Sequence, residues 1–262
     1  MNNILEVNNL TMDFGGLRAI DSFGLNIREK EIVALIGPNG AGKTTFFNCI
    51  TGIYAPTGGE MFIAPPGKKS KKINGLKPNR ITKLGMARTF QNIRLFPNMT
   101  VLENVMIGRH CRTSSGILGA VLRGRSTIRE EKEIVEGSYA ILEKFGLVSF
   151  ANELAKNLPY GEQRRLEIAR AMATRPFLLL LDEPAAGLNA QETRELDELI
   201  TRIRDEEKIS ILLIEHDMKL VMSISDRIAV MDYGSKIAEG TPDEIRDDPV
   251  VIKAYLGEEF VA

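Results

Sequence analysis

Short apolar runs with strand-like alternation occur at residues 4–7, 24–27, 31–36 and 60–63, separated by glycine-rich turns. One helical pattern follows Gly42, so this part of the chain predicts a mixed sheet built around a strand–loop–helix unit. From residue 80 to residue 174 the alternation lapses, and the segment reads as helical without strands. There Ile134, Val135, Ser138, Ile141, Leu142 and Phe145 recur on one helical face, while Glu130, Glu131, Lys132 and Glu133 solvate the start of that helix. From residue 177 onward, strands alternate with helices again. Residues 177–182 and 209–214 are continuous apolar runs suited to central parallel strands, and Leu196, Leu199, Ile200 and Ile203 line a helix between them. The pattern therefore predicts an α/β core split by a helical insertion.

Composition adds mainly exclusions. The 262 residues are 44% hydrophobic and 26% charged, ordinary for a globular chain and unlike a disordered or collagen-like one. Thirty-four Lys and Arg against 35 Asp and Glu leave a net charge of -1, so no global field attracts nucleic acid or anionic lipid. A local basic stretch remains: Lys68, Lys69, Lys71, Lys72, Lys77, Arg80, Lys83 and Arg88 lie in a segment without Asp or Glu. It reads as a solvated loop joining sheet to helical zone, with a surface near anionic head groups as the sharper alternative. Cys49 and Cys111 have no zinc-type spacing, which fits a reducing compartment. The apolar runs at 117–122 and 177–181 are too short to span a bilayer, and the first residues lack a secretory pattern, so a cytoplasmic chain is expected. Residues 111–128, rich in Ser, Gly and Arg, read as an insertion within the helical zone.

The first chemical motif directly follows the 31–36 strand: Gly37-Pro38-Asn39-Gly40-Ala41-Gly42-Lys43-Thr44-Thr45, which fits G-x-x-x-x-G-K-[ST]. Its glycines let backbone N–H groups curl around phosphate oxygens at the positive end of the following helix. In that setting Lys43 neutralises the outer phosphates and the Thr44 hydroxyl ligates Mg²⁺. The second motif is the strand 177–181 ending in Asp182-Glu183, at the sheet edge where such folds bind ligands. Asp182 is placed to hold Mg²⁺, and Glu183 to polarise an attacking water. No Asn-Lys-x-Asp guanine-reading segment occurs, which argues against a GTPase.

With these two motifs placed, the chain resembles the nucleotide-binding subunits of ABC transporters along nearly its whole length. Gln91, in Arg88-Thr89-Phe90-Gln91, matches that family's Q-loop. Leu158-Pro159-Tyr160-Gly161-Glu162-Gln163 stands at the place of its signature, Asp182-Glu183-Pro184 completes its Walker B segment, Ala186-Gly187-Leu188-Asn189 stands at its D-loop, and His216 matches its switch histidine. Residues 84–91 and 158–163 are most similar to the branched-chain amino acid (Leu/Ile/Val) uptake ATPases. Two departures are Pro159, which lacks the hydroxyl the signature serine would offer to γ-phosphate, and Asn189, where Asp is usual.

The resemblance implies a P-loop NTPase fold: a mixed sheet flanked by helices, an antiparallel β part and an inserted helical subdomain. Residues 1–90 and 175–262 would form the ATP-binding core of a single domain, and 91–174 the helical subdomain carrying the signature. It further implies ATP and Mg²⁺ as cofactors. Glu183, His216 and Gln91 would be catalytic, and Thr44, Gln91 and Asp182 would hold the metal. Phe14, the loop residues 37–45, and Tyr160, Gly161 and Glu162 would contact nucleotide, Phe14 by stacking on adenine. Because one signature closes over another subunit's P-loop, a second ATP-binding subunit is required. The altered signature favours a heterodimer, with a homodimer as the alternative. Two integral membrane permease subunits would be direct partners and an extracytoplasmic solute-binding protein an indirect one. The segment 92–99 would receive a helix of the membrane subunit, with Phe96 and Met99 either as apolar anchors of that contact or, equally, as core of the helical subdomain. The expected function is an ATP-hydrolysing importer subunit at the cytoplasmic face of the membrane, most similar to those for branched-chain amino acids. The competing function is a soluble ABC-type ATPase acting on nucleic acid or the ribosome. Such proteins usually carry paired ATPase units, coiled coils or zinc insertions, none of which this sequence has, and the near-zero net charge disfavours a nucleic-acid partner.

Overall fold

The computed structural model describes residues 2–112 and 125–256. Most of the 111–128 insertion therefore lies outside the described residues. The chain divides into two compact units, Met1–Arg88 with Phe177–Ala262, and Thr89–Pro176.

The first unit holds both sheets. Strands β1 (Asn3–Phe14), β2 (Leu17–Arg28), β4 (Gly58–Ile63) and β5 (Lys71–Lys72) form an antiparallel sheet in the order β2-β1-β4-β5. The second sheet has six strands: β3 (Ile32–Ile36), β6 (Met86–Arg88), β7 (Leu178–Asp182), β8 (Ser210–Ile214), β9 (Arg227–Asp232) and β10 (Ser235–Gly240). Its order is β10-β9-β3-β8-β7-β6, parallel except for the antiparallel edge strand β10.

Strands β3, β7 and β8 are buried at every position, as continuous apolar runs require when both faces of a parallel sheet are covered. Side chains alternate across the sheet with period two. Val33 and Leu35 of β3 therefore join Leu178, Leu180, Leu212 and Ile214 in one core with Phe46 and Phe47 of helix α1 (Lys43–Ile50) and the antiparallel sheet. Ala34 and Ile36 face the opposite way, into a second core with Val221, Ile245 and Val251. The helix Ala190–Glu207 buries Leu196, Leu199, Ile200 and Ile203, the stripe its periodicity predicts.

In the second unit the main helices are Val101–Arg109, Arg125–Lys144 and Tyr160–Ala173. On the Arg125–Lys144 helix, Ile134, Ser138 and Leu142 are buried, and the Ser138 hydroxyl donates to the Ile134 carbonyl at 2.7 Å. Asn104, fully buried, accepts from the Phe96 amide and donates to the Phe96 and Thr100 carbonyls, which fixes the loop before the Val101–Arg109 helix. Of the two apolar residues at 96 and 99, Phe96 is exposed and Met99 half-buried.

Two expectations need correction. The zone from residue 80 contains a strand, β6, whose three residues are too few to show a period and are fixed by parallel pairing with β7. The basic stretch is not uniformly solvated either. Lys68, Lys69, Lys71 and Lys72 are exposed, with Lys72 paired to Glu60 at 2.6 Å, but Arg88 at its end is buried against Asp182. Among the described residues no helix is long and apolar enough to cross a membrane.

Candidate active site

The phosphate-type loop occupies the junction between β3 and α1. Two of its glycines are dictated by space as well as by backbone angle. At Gly37 a Cβ would lie 1.9 Å from the Met231 carbonyl oxygen, and at Gly42, with φ of 109°, one would lie 2.6 Å from the Ala19 carbonyl oxygen. The loop is also tied to the β9–β10 turn, where the Gly234 amide donates to the Ala41 carbonyl at 2.8 Å.

Lys43, buried, folds back on the loop and donates from Nζ to the Gly37 and Pro38 carbonyls at 2.6 and 2.9 Å. Burial pulls its pKa below the ordinary lysine value, while the charges of Glu183 and Asp182 act in the opposite sense. Lysine and both carboxylates therefore share one electrostatic environment. Thr44 is exposed and Thr45 half-buried at the start of α1.

Beyond β7, Glu183 adopts a left-handed backbone with φ of 48°, unusual for a residue with a long side chain. Its amide donates to the Ile214 carbonyl at 2.8 Å, and its Oε1 lies 2.9 Å from His216 Nε2. A cavity of about 530 Å³, within the range of small-molecule sites, is lined by Phe14, residues 39–45, Glu183, His216 and Tyr233. The fold thus brings together residues far apart in sequence at one cavity of the first unit. Phe14 stands at its rim, 42% exposed, with Tyr54 edge-on at 5.3 Å, so it is not an aromatic packed into the core.

Asp182, at the end of β7, accepts from Arg88 Nη2 at 2.7 Å, with both side chains buried. Among the described residues no group of three or more His, Cys, Asp or Glu could cage a metal ion. The Asp182 carboxylate and the exposed Thr44 hydroxyl are hard oxygen donors, which fit Mg²⁺, an ion that takes one or two protein oxygens and completes its shell with phosphates and water.

Gln91 and the signature residues belong to the second unit. Tyr160, Gly161 and Glu162 open the Tyr160–Ala173 helix, whose N-terminus has no side-chain cap. Two residues of that helix, Arg164 and Glu167, are both buried and paired at 3.0 Å. Arg164 donates to the carbonyls of Phe90 and Gln91 at 2.8 Å each, while Glu167 accepts from the amides of Phe90 and Arg94 at 3.4 and 3.2 Å. The pair therefore binds the loop that carries Gln91 to the signature helix.

Sequence reasoning had not singled out Arg164, Glu167 or Glu215. Of the acidic neighbours of His216, Glu215 is buried and accepts from the amides of Ala185, His216 and Asp217, and Asp217 caps the next helix. The partner of His216 is Glu183, a residue distant in sequence. Glu167, between Leu166 and Ile168, and Glu215, directly after an apolar strand, carry the signal of a charge in an apolar setting, which names no partner, and Arg164, between Gln163 and Arg165, carries none.

A Gly-rich loop between a parallel strand and a helix, a buried lysine and a strand-end carboxylate pair mark an α/β core of the P-loop NTPase type. A family model described as "ABC transporter" matches residues 20–186, and one described as "Branched-chain amino acid ATP-binding cassette transporter" matches residues 235–261. The chain belongs to the ABC transporter family, as an ATP-binding cassette. It is 52% identical over 255 residues to the high-affinity branched-chain amino acid transport ATP-binding protein LivG of Salmonella typhimurium, spanning 97% of this chain and 98% of that one. It is equally 52% identical to BraF of Pseudomonas aeruginosa, a protein of the same description, over the same shares of both chains. Among solved structures, the ADP conformation of MJ1267, an ATP-binding cassette of an ABC transporter, superposes with a TM-score of 0.84 at 31% identity, covering 98% of this chain and 100% of that one.

Proposed function

We propose that the chain is the ATP-hydrolysing subunit of an ABC importer for branched-chain amino acids, acting at the cytoplasmic face of the membrane through separate permease subunits. The observation that carries the reading is the Glu183–His216 pair, 2.9 Å apart, on the wall of the cavity that also holds the phosphate-type loop. Relatives matching nearly the whole chain at 52% identity are named for that transport, which supports the solute class and disfavours the nucleic-acid alternative.

In this reading the loop 37–45 wraps the phosphates with backbone N–H groups, and Lys43 leaves its two carbonyl acceptors to neutralise them. Phe14 offers its exposed face to the base. Glu183 accepts a proton from the attacking water, and His216 orients that carboxylate and reaches the terminal phosphate. Thr44 and Asp182 are the donors of this unit that would hold Mg²⁺, which when bound would offset phosphate charge. The uncapped start of the Tyr160–Ala173 helix, with Tyr160, Gly161 and Glu162, suits a phosphate of nucleotide held by a second ATP-binding subunit. Pro159 offers no hydroxyl there, and a heterodimeric partner with its own signature is the favoured assembly.

Replacing Glu183 by Gln is expected to lower ATP turnover by about 10²- to 10⁴-fold while nucleotide binding persists. Turnover by the purified chain with its membrane partners in vesicles, with and without leucine, isoleucine or valine, measures both activity and solute class. Wild-type turnover in the variant would overturn the role of Glu183, and stimulation by unrelated solutes alone would overturn the transport assignment.

A further inference from the structure

Arg88 ends the first of the two segments that make up the first unit, and the chain passes at Thr89 into the segment carrying Gln91. Its guanidinium is buried and forked between a strand and a helix. One nitrogen donates to Asp182 at the end of β7, at 2.7 Å. Another donates to the side chains of Asn48 and Thr51, at 2.8 and 3.2 Å, in the last turn and cap of α1, and the group stands 5.4 Å from the centre of the Phe47 ring. Buried ion pairs contribute little net stability, because desolvation offsets most of the attraction, but they fix geometry strongly. Here the geometry fixed is that of a carboxylate at the edge of a sheet relative to the helix that begins with Lys43 and Thr44.

We propose that Arg88 is a positioning residue for a divalent cation bound together with nucleotide phosphates, holding the Asp182 carboxylate in register with the Thr44 hydroxyl so that both face one ion. The proposal rests on the reading of Asp182 and Thr44 as metal donors. A planar, permanently charged fork suits the task because it reaches strand and helix at once, which a single ammonium does not. Arg88 orients a donor from outside the coordination shell, as the hydrogen-bond partners of metal ligands commonly do.

The test is binding of a fluorescent ADP analogue to the full chain in excess Mg²⁺ and, separately, in EDTA. The ratio of the two affinities is the metal enhancement. Arg88→Met is expected to lower that enhancement by about 10- to 100-fold, with the affinity in EDTA unchanged. Arg88→Lys, which keeps charge beside Asp182 without the fork, and Asn48→Ala, which removes one anchor of the fork, are expected to give smaller losses of the same kind. They carry the test if Arg88→Met does not fold. An enhancement equal to wild type in the folded variants, or an equal loss with and without Mg²⁺, would make the ion pair structural only and overturn the proposal. A wild-type chain with no metal enhancement would overturn the metal-donor reading itself, and the proposal with it.

Discussion

Cys49 has no exposed surface inside α1, and burial pushes its thiol up from the ordinary 9.0 to about 11. Below pH 9 both folded and unfolded chains keep this proton. Above it the unfolded chain loses the proton first, so the stabilising contribution declines as pH rises through 11, by about 3 kcal/mol in all. Urea unfolding from pH 8 to 10.5 is expected to show wild type losing stability relative to Cys49→Ala over that interval, and a constant difference would contradict it. A buried thiol with so raised a pKa is a poor nucleophile at neutral pH. Other single residues show how context sets role. Burial lowers the Lys43 pKa while the charges of Glu183 and Asp182 raise it, and Glu183 holds a left-handed backbone, a strain of the kind found at ligand sites.

At the scale of elements, the departure of Asn189 from the usual Asp has a local physical account. Its side chain caps the Ala190–Glu207 helix, accepting from the amides of Gln191 and Glu192 while Glu192 accepts from the Asn189 amide. Asn and Asp serve this position about equally, so Asn189→Asp is expected to leave the thermal midpoint nearly unchanged, whereas Asn189→Ala costs about 1 kcal/mol. Thermal unfolding of both variants checks this. Long elements with many apolar residues were legible in advance: β3, β7, β8 and the Ala190–Glu207 helix fall where their patterns place them. The three-residue β6 was not, because its conformation is set by pairing with β7 rather than by its own residues. Arg88 was misread for the same reason, since a basic residue beside a run of exposed lysines gives no sign that its partner lies 94 positions away.

On the scale of the whole molecule, each unit carries its own core, and each contains one buried arginine–carboxylate pair next to the crossing at Thr89. Removing one charge from such a pair leaves the other uncompensated and costs about 3–5 kcal/mol. Glu167→Gln is therefore expected to loosen the Thr89–Pro176 unit, with faster amide exchange at residues 90–94, while exchange in β3, β7 and β8 keeps its wild-type protection. Uniform acceleration throughout the chain would show that the two units do not have separate stabilities.

The sequence by itself determined the strand–loop–helix phosphate motif, the apolar strands, the carboxylates at the end of β7 and the order of the family motifs, because each depends on neighbouring residues or on a short period. Only the tertiary structure decided which polar groups meet. The pairing of Glu183 with His216, Arg88 with Asp182, and Arg164 and Glu167 with the backbone of residues 90–94 joins positions from 33 to 94 residues apart. A hydrophobic pattern specifies which face of an element is buried. The partner of a buried charge depends on where the other elements come to rest, and its identity is fixed only when the packed core places donor and acceptor within hydrogen-bonding distance.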